Sequence, residues 1–231
     1  MSEPSGISDG VIQRVSVVDT VTERLRNALL GGEIKPGDLI KVAALEKSFG
    51  VSHIPIREAV RRLETEGLII AQPQRAAVAA GVDLEDLAGV YDLRRIIECS
   101  VIERSVASMT DEQIEQVRDA LARLDGASDN HDSPAFWDLH AAFHWALVEP
   151  GASAWIQRVL ELLWVASQRY VRLFVSRTVE EAMRDHHELF ECCVERDGPR
   201  AAAVLERHLD RTENAVREAF VGDPANAEEE G

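Results

Sequence analysis

His140 and His144 stand four residues apart, so a helix through them stacks both imidazoles on one face, where they can ligate a single ion. Phe136 and Leu147 share that face, which turns it inward. His186 falls between Met183 and Phe190 at helical spacing, and His208 follows Val204 and Leu205, so both lie on inward stripes as well. The connection between their segments centres on Asp197-Gly198-Pro199; His186 precedes Asp197 by 11 residues and His208 follows it by 11. On an antiparallel hairpin rising about 1.5 Å per residue, the two sit at one height. A lone inward histidine is most often a core residue with its hydrogen bonds satisfied. Four of them, brought together by two independent spacings, point instead to a metal site at His140, His144, His186 and His208. His187 lies about 100° round the helix from His186 and stays outside that set.

The second constellation is Gly50-Val51-Ser52-His53-Ile54-Pro55-Ile56-Arg57-Glu58-Ala59-Val60-Arg61-Arg62-Leu63, closed by Glu66-Gly67-Leu68. A turn glycine and a capping serine open a helix with Pro55 in its first turn, where a missing N–H does little harm. Ile56, Ala59/Val60 and Leu63 form its buried stripe, leaving His53, Arg57 and Arg61 nearer the other side. A short basic-faced helix supported by another just before it is shaped to enter a DNA major groove.

The elements that must hold these residues divide the 231-residue chain in two. Residues 1–14 are expected to be a disordered tail. Residues 15–80 read as helices at Val17–Leu30, Val42–Phe49 and from Ser52 onward, then two short strands, Leu68–Ala71 and Ala76–Ala79, around a Gln72–Arg75 loop: a winged helix-turn-helix. From Gly81 on, every periodic segment is helical. Asp83 caps a long helix over Leu84–Ser108, and Thr110-x-x-Gln113 is a capping box for the next. Further helices are expected at Pro134–Val148, Ala152–Ser176, Val179–Arg196 and Pro199–Phe220. The fold class is therefore mainly α, with an all-α bundle over residues 82–221 and an acidic tail at 222–231.

Composition sets limits on function. The chain is 45% hydrophobic and 29% charged, as globular proteins are, and has no apolar run of about 20 residues that would span a membrane. With no secretory signal and three cysteines too few for a disulfide framework, a cytoplasmic location is expected. The net charge of −16 argues against nucleic acid until its distribution is seen. Residues 1–80 hold ten Lys/Arg against ten Asp/Glu, and the excess acid all lies beyond them. A neutral N-terminal part with Arg57, Arg61 and Arg62 on one helix can meet phosphates while the acidic remainder faces away.

The order of elements, with Leu30-Gly31-Gly32-Glu33-Ile34-Lys35-Pro36-Gly37-Asp38 followed by Gly50 to Leu68, resembles the DNA-binding domain of GntR-family transcription regulators. The helical half looks like the FCD effector domain of the FadR subfamily, so the likeness covers residues 17–221. It implies no enzyme but a homodimeric, cytoplasmic DNA-binding regulator, usually a repressor, whose grip on double-stranded operator DNA answers to a small organic acid. Carried over residue by residue, it assigns DNA contacts to Ser52, His53, Arg57 and Arg61, and to Gln74 and Arg75 at the wing tip. Three positions depart from the family pattern. His53 stands where Arg is usual, Ile54 where Thr is common, and Ala76 where Gly is frequent. Arg clamps guanine O6 and N7 bidentately, and His offers one donor at a time, so base preference there should differ.

In metal-binding FCD members an Asp and three His hold the ion. His144, His186 and His208 match the three His, and His140 takes the place of the Asp. One negative charge is lost from the ligand set, which favours Zn²⁺ or Ni²⁺ over Mn²⁺ or Mg²⁺. The family's ion helps to bind a carboxylate effector, and Arg94, on the inward side of its helix, matches a common family Arg able to clamp that carboxylate. An internal salt bridge from Arg94 to Glu98 or another bundle carboxylate is the competing role. Two other readings stand beside this one: an ion whose four imidazoles close its shell for purely structural ends, and a metalloenzyme, which would want a general base near the metal, has no HExxH in the sequence and would leave the N-terminal part unexplained.

Overall fold

The computed structural model describes residues 16–72, 75–128, 133–174 and 179–222. Two hydrophobic cores, each built from its own stretch of chain, organise them. The expected tail at 1–14, and all but Gly222 of the acidic tail, lie outside the described residues.

The first core belongs to helices α1 (Val17–Leu30), α2 (Val42–Phe49) and α3 (His53–Thr65) and the antiparallel strands β1 (Ile69–Ile70) and β2 (Val78–Ala79). Val21, Leu25 and Leu30 of α1 bury against Ile56, Ala59, Val60 and Leu63 of α3, the stripe expected from the 3.6-residue period. A bidentate pair fixes their relative height: Arg26 Nε donates to Glu66 Oε2 at 2.8 Å and Arg26 Nη2 to Glu66 Oε1 at 2.6 Å. Gly50 ends α2 in the left-handed region at φ 67° and turns the chain into α3. The strands are shorter than expected, two residues each, with an isolated bridge from Leu39 to Val78 beside them.

Ser52 departs from expectation. It occupies the N-cap position of α3 with extended backbone, yet its hydroxyl makes no capping hydrogen bond. A cap accepts from the second or third helical N–H, and the third residue here is Pro55, which has none. The exposed hydroxyl is left to the solvent side.

The second core holds α4 (Leu84–Arg94), α5 (Ser100–Ser108), α6 (Asp111–Asp125), α7 (Pro134–Val148), α8 (Ala154–Phe174), α9 (Val179–Glu195) and α10 (Gly198–Val221). Asp83 caps α4 by accepting from the Glu85 and Asp86 amides, and the Thr110–Gln113 capping box is present. The long helix expected over Leu84–Ser108 is not uniform: Arg95–Cys99 form a π-helical turn between α4 and α5. No proline or glycine marks the turn, so nothing in the residue pattern announces it. It keeps Arg94 and Glu98 inside while sending Arg95 outward to Asp210 and Glu213 of α10. Helix α8 starts at Ala154, after a 3₁₀ turn over Glu149–Gly151, and α9 ends at Glu195, where Arg196 takes φ 57°. No described helix is long and apolar enough to cross a membrane.

Candidate metal centre and nucleic-acid interface

Helices α7, α9 and α10 bring His140, His144, His186 and His208 together, and one ring nitrogen from each lies within 4.8 Å of the others. His144 Nε2 stands 3.2 Å from His186 Nε2. Two nitrogens bound at about 2.0–2.1 Å to one ion are separated by roughly that much. The His186 and His208 ring centroids are 4.9 Å apart, so the hairpin of α9 and α10 does set them at one height. His140 is half-buried, 4.5 Å from His144 by ring centroids; the other three are buried. His187 points away and pairs with Asp125 at 3.1 Å.

Burial, and after it the mutual repulsion of like-charged rings and arginines, pushes His140 down to about 3 and His144 and His186 well below the ordinary imidazole value. The neutral ring is the form that ligates. The Nδ1 atoms of His186 and His208 are buried without a hydrogen-bond partner among the described residues. Asp185 Oδ2 stands 3.6 Å from His208 Nδ1, the side a supporting carboxylate takes behind a ligating imidazole. Burial works against the Asp185 charge, but His208, Arg207 and Arg211 hold its carboxyl below the usual range. Four clustered imidazole nitrogens, with the far Nδ1 of His186 unpartnered among the described residues and that of His208 facing the Asp185 carboxylate, suit a borderline divalent ion.

The cluster forms one wall of a cavity whose other walls include Tyr91, Arg94, Trp137, Trp164 and Val171. Arg94 stands between an internal carboxylate and the cavity. It forms the internal salt bridge, Nε to Glu98 Oε1 at 2.7 Å, and it also lines the cavity, with Nη1 donating to Ser167 Oγ at 3.3 Å. Glu98, wholly buried, accepts from Trp164 Nε1 at 2.8 Å as well. The Tyr91 hydroxyl, beside this guanidinium, is buried with no acceptor among the described residues. Tyr91, Trp164 and Ser167 were not singled out from the sequence; only their helical phase, one turn from Arg94 or facing it from α8, could have suggested them.

Around α3, Ser52, His53, Arg57, Arg61 and Arg75 are exposed, and Gln74 lies outside the described residues. Arg57, Arg61 and Arg75 border one cleft together with Lys41, the residue before α2, which sequence reasoning missed because it lies in extended backbone ahead of the helix rather than on a helical face. Neither Arg57 nor Arg61 forms an ion pair with another described residue. Arg62 differs: its Nη1 donates to Asp19 Oδ1 of α1 at 2.7 Å. His53 is drawn to α2, with Nδ1 3.3 Å from Glu46 Oε1, while Ile54 is left 77% exposed at the helix start.

Known proteins share this organisation. Residues 17–78 match the bacterial regulatory proteins of the gntR family and residues 89–211 match the FCD domain. An HTH-type transcriptional regulator of Paraburkholderia xenovorans, BphR, is 26% identical over 211 residues, which cover 88% of this chain and 86% of that one. The transcriptional repressor GlaR of Escherichia coli is 25% identical, over 86% of this chain and 94% of its own. Among solved structures, E. coli McbR/YncC superposes with a TM-score of 0.76 at 20% identity, covering 89% of this chain and 99% of that one, a likeness of fold.

Proposed function

The chain belongs to the GntR family of regulators and carries its FCD domain, and from that premise we propose a homodimeric repressor whose operator binding is set by a small carboxylate in the histidine-walled cavity. The family is one of transcription regulators rather than enzymes, so the metalloenzyme reading falls away. The observation that carries the effector reading is the cavity itself: four imidazoles on one wall and the Arg94 guanidinium on another. The four histidines would hold Zn²⁺ or Ni²⁺, which supplies a Lewis-acidic position for a carboxylate oxygen. Arg94 and the Tyr91 hydroxyl would orient the same anion, Arg94 while still paired to Glu98.

On the DNA side, Arg57 and Arg61 enter the major groove with Ser52 and His53, and Arg75, Gln74 and Lys41 track phosphates. A second copy of the chain covers the apolar stripe of Trp155, Val159 and Leu162, spaced i, i+4, i+7 on α8, with Leu93 and Ile96 on the adjoining α4 and π turn; all five are exposed. Charge placed there by Leu162→Glu should yield monomers in analytical ultracentrifugation.

Electrophoretic mobility shift on the DNA upstream of the chain's own gene tests the whole reading. The protein should shift that DNA specifically, and metal plus a screen of small organic acids should change the midpoint. A ligand moves DNA affinity only by its differential affinity for the two arrangements, so an acid that binds the cavity without altering the midpoint sinks the effector reading. A purely structural ion remains the competing case, since four imidazoles suffice to close a tetrahedral shell. In that case His140→Ala would lower the melting temperature and leave the acid response in place.

A further inference from the structure

Helix α8 touches both halves of the molecule. Trp164, Ser167, Gln168 and Val171 face the cavity, while Val165 packs on the core of the DNA-binding domain and Arg169 reaches into a cleft beside Leu30, Pro36 and Leu68. At 100° per residue, those two faces lie about a third of a turn apart. The Arg169 side chain, 11% exposed, gathers three partners there. Its Nη1 donates to the Gly67 carbonyl at 2.5 Å, and its Nη2 donates to Asp86 Oδ2 at 2.6 Å and to the Tyr170 hydroxyl. The Tyr170 hydroxyl in turn donates to Asp86 Oδ2 at 2.5 Å.

Gly67 is the residue by which the chain leaves α3, and Asp86 lies in the first turn of α4, just past the connection between the two domains. A single guanidinium therefore bridges the exit of the groove-reading helix, the start of the effector domain and the helix that walls the cavity. Its charge also complements the carbonyl-rich end of α3. Side-chain packing alone would let the two domains slide; a charged hydrogen bond to the Gly67 carbonyl, from a planar group whose other arm Asp86 holds in place, ties α3 to the helical domain with a fixed direction. We infer that Arg169 is the positioning residue that transmits occupancy of the cavity to the recognition helix: a shift of α8 that rearranges Ser167 or Val171 moves Arg169 with it, and with Arg169 the Gly67 end of α3. The inference rests on the effector-site reading above but names a link that reading does not contain.

The test uses full-length wild type, Arg169→Met, Arg169→Lys and Asp86→Asn, with zinc chloride as the probe. Zinc binding is followed by calorimetry, and amide hydrogen exchange is followed over residues 60–70. In the wild type, zinc should slow exchange in that segment about tenfold, a coupling of ordinary size. In Arg169→Met, zinc should still bind one ion per chain, weakened by no more than the same factor as linkage requires, and exchange over 60–70 should be equal with and without it. Arg169→Lys, with one donor at a time, and Asp86→Asn, which keeps Arg169 on Gly67, should retain part of the response and show that the loss in the Met variant is no general unfolding. Zinc-dependent protection in Arg169→Met equal to that of the wild type overturns the proposal. So does a wild type that binds zinc with no change over 60–70. A wild type that binds no zinc overturns the metal reading and this link with it.

Discussion

His144 Nε2 and His186 Nε2, 42 residues apart in sequence, lie 3.2 Å apart between α7 and α9, and each is buried with a neutral ring favoured by its surroundings. One of the two can donate to the other, but neither Nδ1 of the His186–His208 pair finds a hydrogen-bond partner among the described residues, Asp185 standing 3.6 Å from that of His208. Such an arrangement is poorly satisfied as a hydrogen-bonded core and well satisfied around an ion. Saturating zinc, at about 100 times its dissociation constant, should stabilise the fold by about 2.7 kcal/mol. For a chain of this size that is roughly 5–10 °C in melting temperature. Differential scanning fluorimetry with zinc and with chelator reads the shift. His186→Ala should abolish it, and a zinc shift undiminished in that variant would place the ion elsewhere.

The metal-free protein should lose stability on acidification. Burial holds His140 down to about 3, and His144 and His186 are depressed too, whereas the unfolded chain titrates near the ordinary value of about 6.5. Between those values the unfolded state binds protons that the folded state refuses, so stability is full above about pH 6.5 and falls as pH drops toward the folded-state values. Urea midpoints in chelator at pH 7.5, 6.5 and 5.5 should decline in that order. The combined His144→Gln, His186→Gln variant should decline less steeply; an equal slope would show that these rings do not govern the effect.

Two glycines should respond oppositely to alanine. A Cβ at Gly198 would sit 2.1 Å from the Glu103 carbonyl oxygen, a backbone atom that cannot step aside, because α10 begins pressed against α5. Gly198→Ala should therefore cost about 3 kcal/mol or more. Gly89, inside α4, has open space at its Cβ, and alanine there should stabilise by about 0.5–1 kcal/mol through helix propensity alone. Thermal melts of the two variants distinguish close approach from a mere preference for glycine in helices.

Much of this molecule is legible along its sequence, and what is not has identifiable causes. The helices Val17–Leu30, Val42–Phe49 and Pro134–Val148 stand at their expected residues, since capping residues and apolar period agree there. The four-histidine cluster follows from local periodicity plus one hairpin symmetry, both of which a single strip of sequence contains. The π turn at Arg95–Cys99 does not, because a helix can widen by one residue without any change in residue type. Ser52 failed to cap through a neighbour effect, the missing Pro55 N–H, that a position-by-position reading passes over. The Arg169 bridge and the Arg62–Asp19 pair join residues 83 and 43 positions apart, respectively, and long-range partners leave no periodic trace.

That last pair makes the arginines of α3 separable by experiment. Arg57 and Arg61 are exposed, form no ion pair with another described residue, and share a cleft with Lys41 and Arg75, so each is available to DNA at no cost in protein contacts. Arg62 is held by Asp19 of α1, and an approaching phosphate would have to compete with that carboxylate. Arg57→Ala should therefore lower affinity for the upstream DNA by about 1–3 kcal/mol, roughly 5- to 150-fold, with specificity relaxed at one base position. Lys41→Ala and Arg75→Ala should weaken binding evenly across sequences and reduce the salt slope by about one each. Arg62→Ala should leave both the slope and the specificity near those of the wild type, and lower only the stability of the α1–α3 contact, by less than about 1 kcal/mol for so exposed a pair. Fluorescence anisotropy over a range of potassium chloride concentrations measures all four variants. If Arg62→Ala loses as much as Arg57→Ala, the helix docks further round its axis than its exposed face indicates.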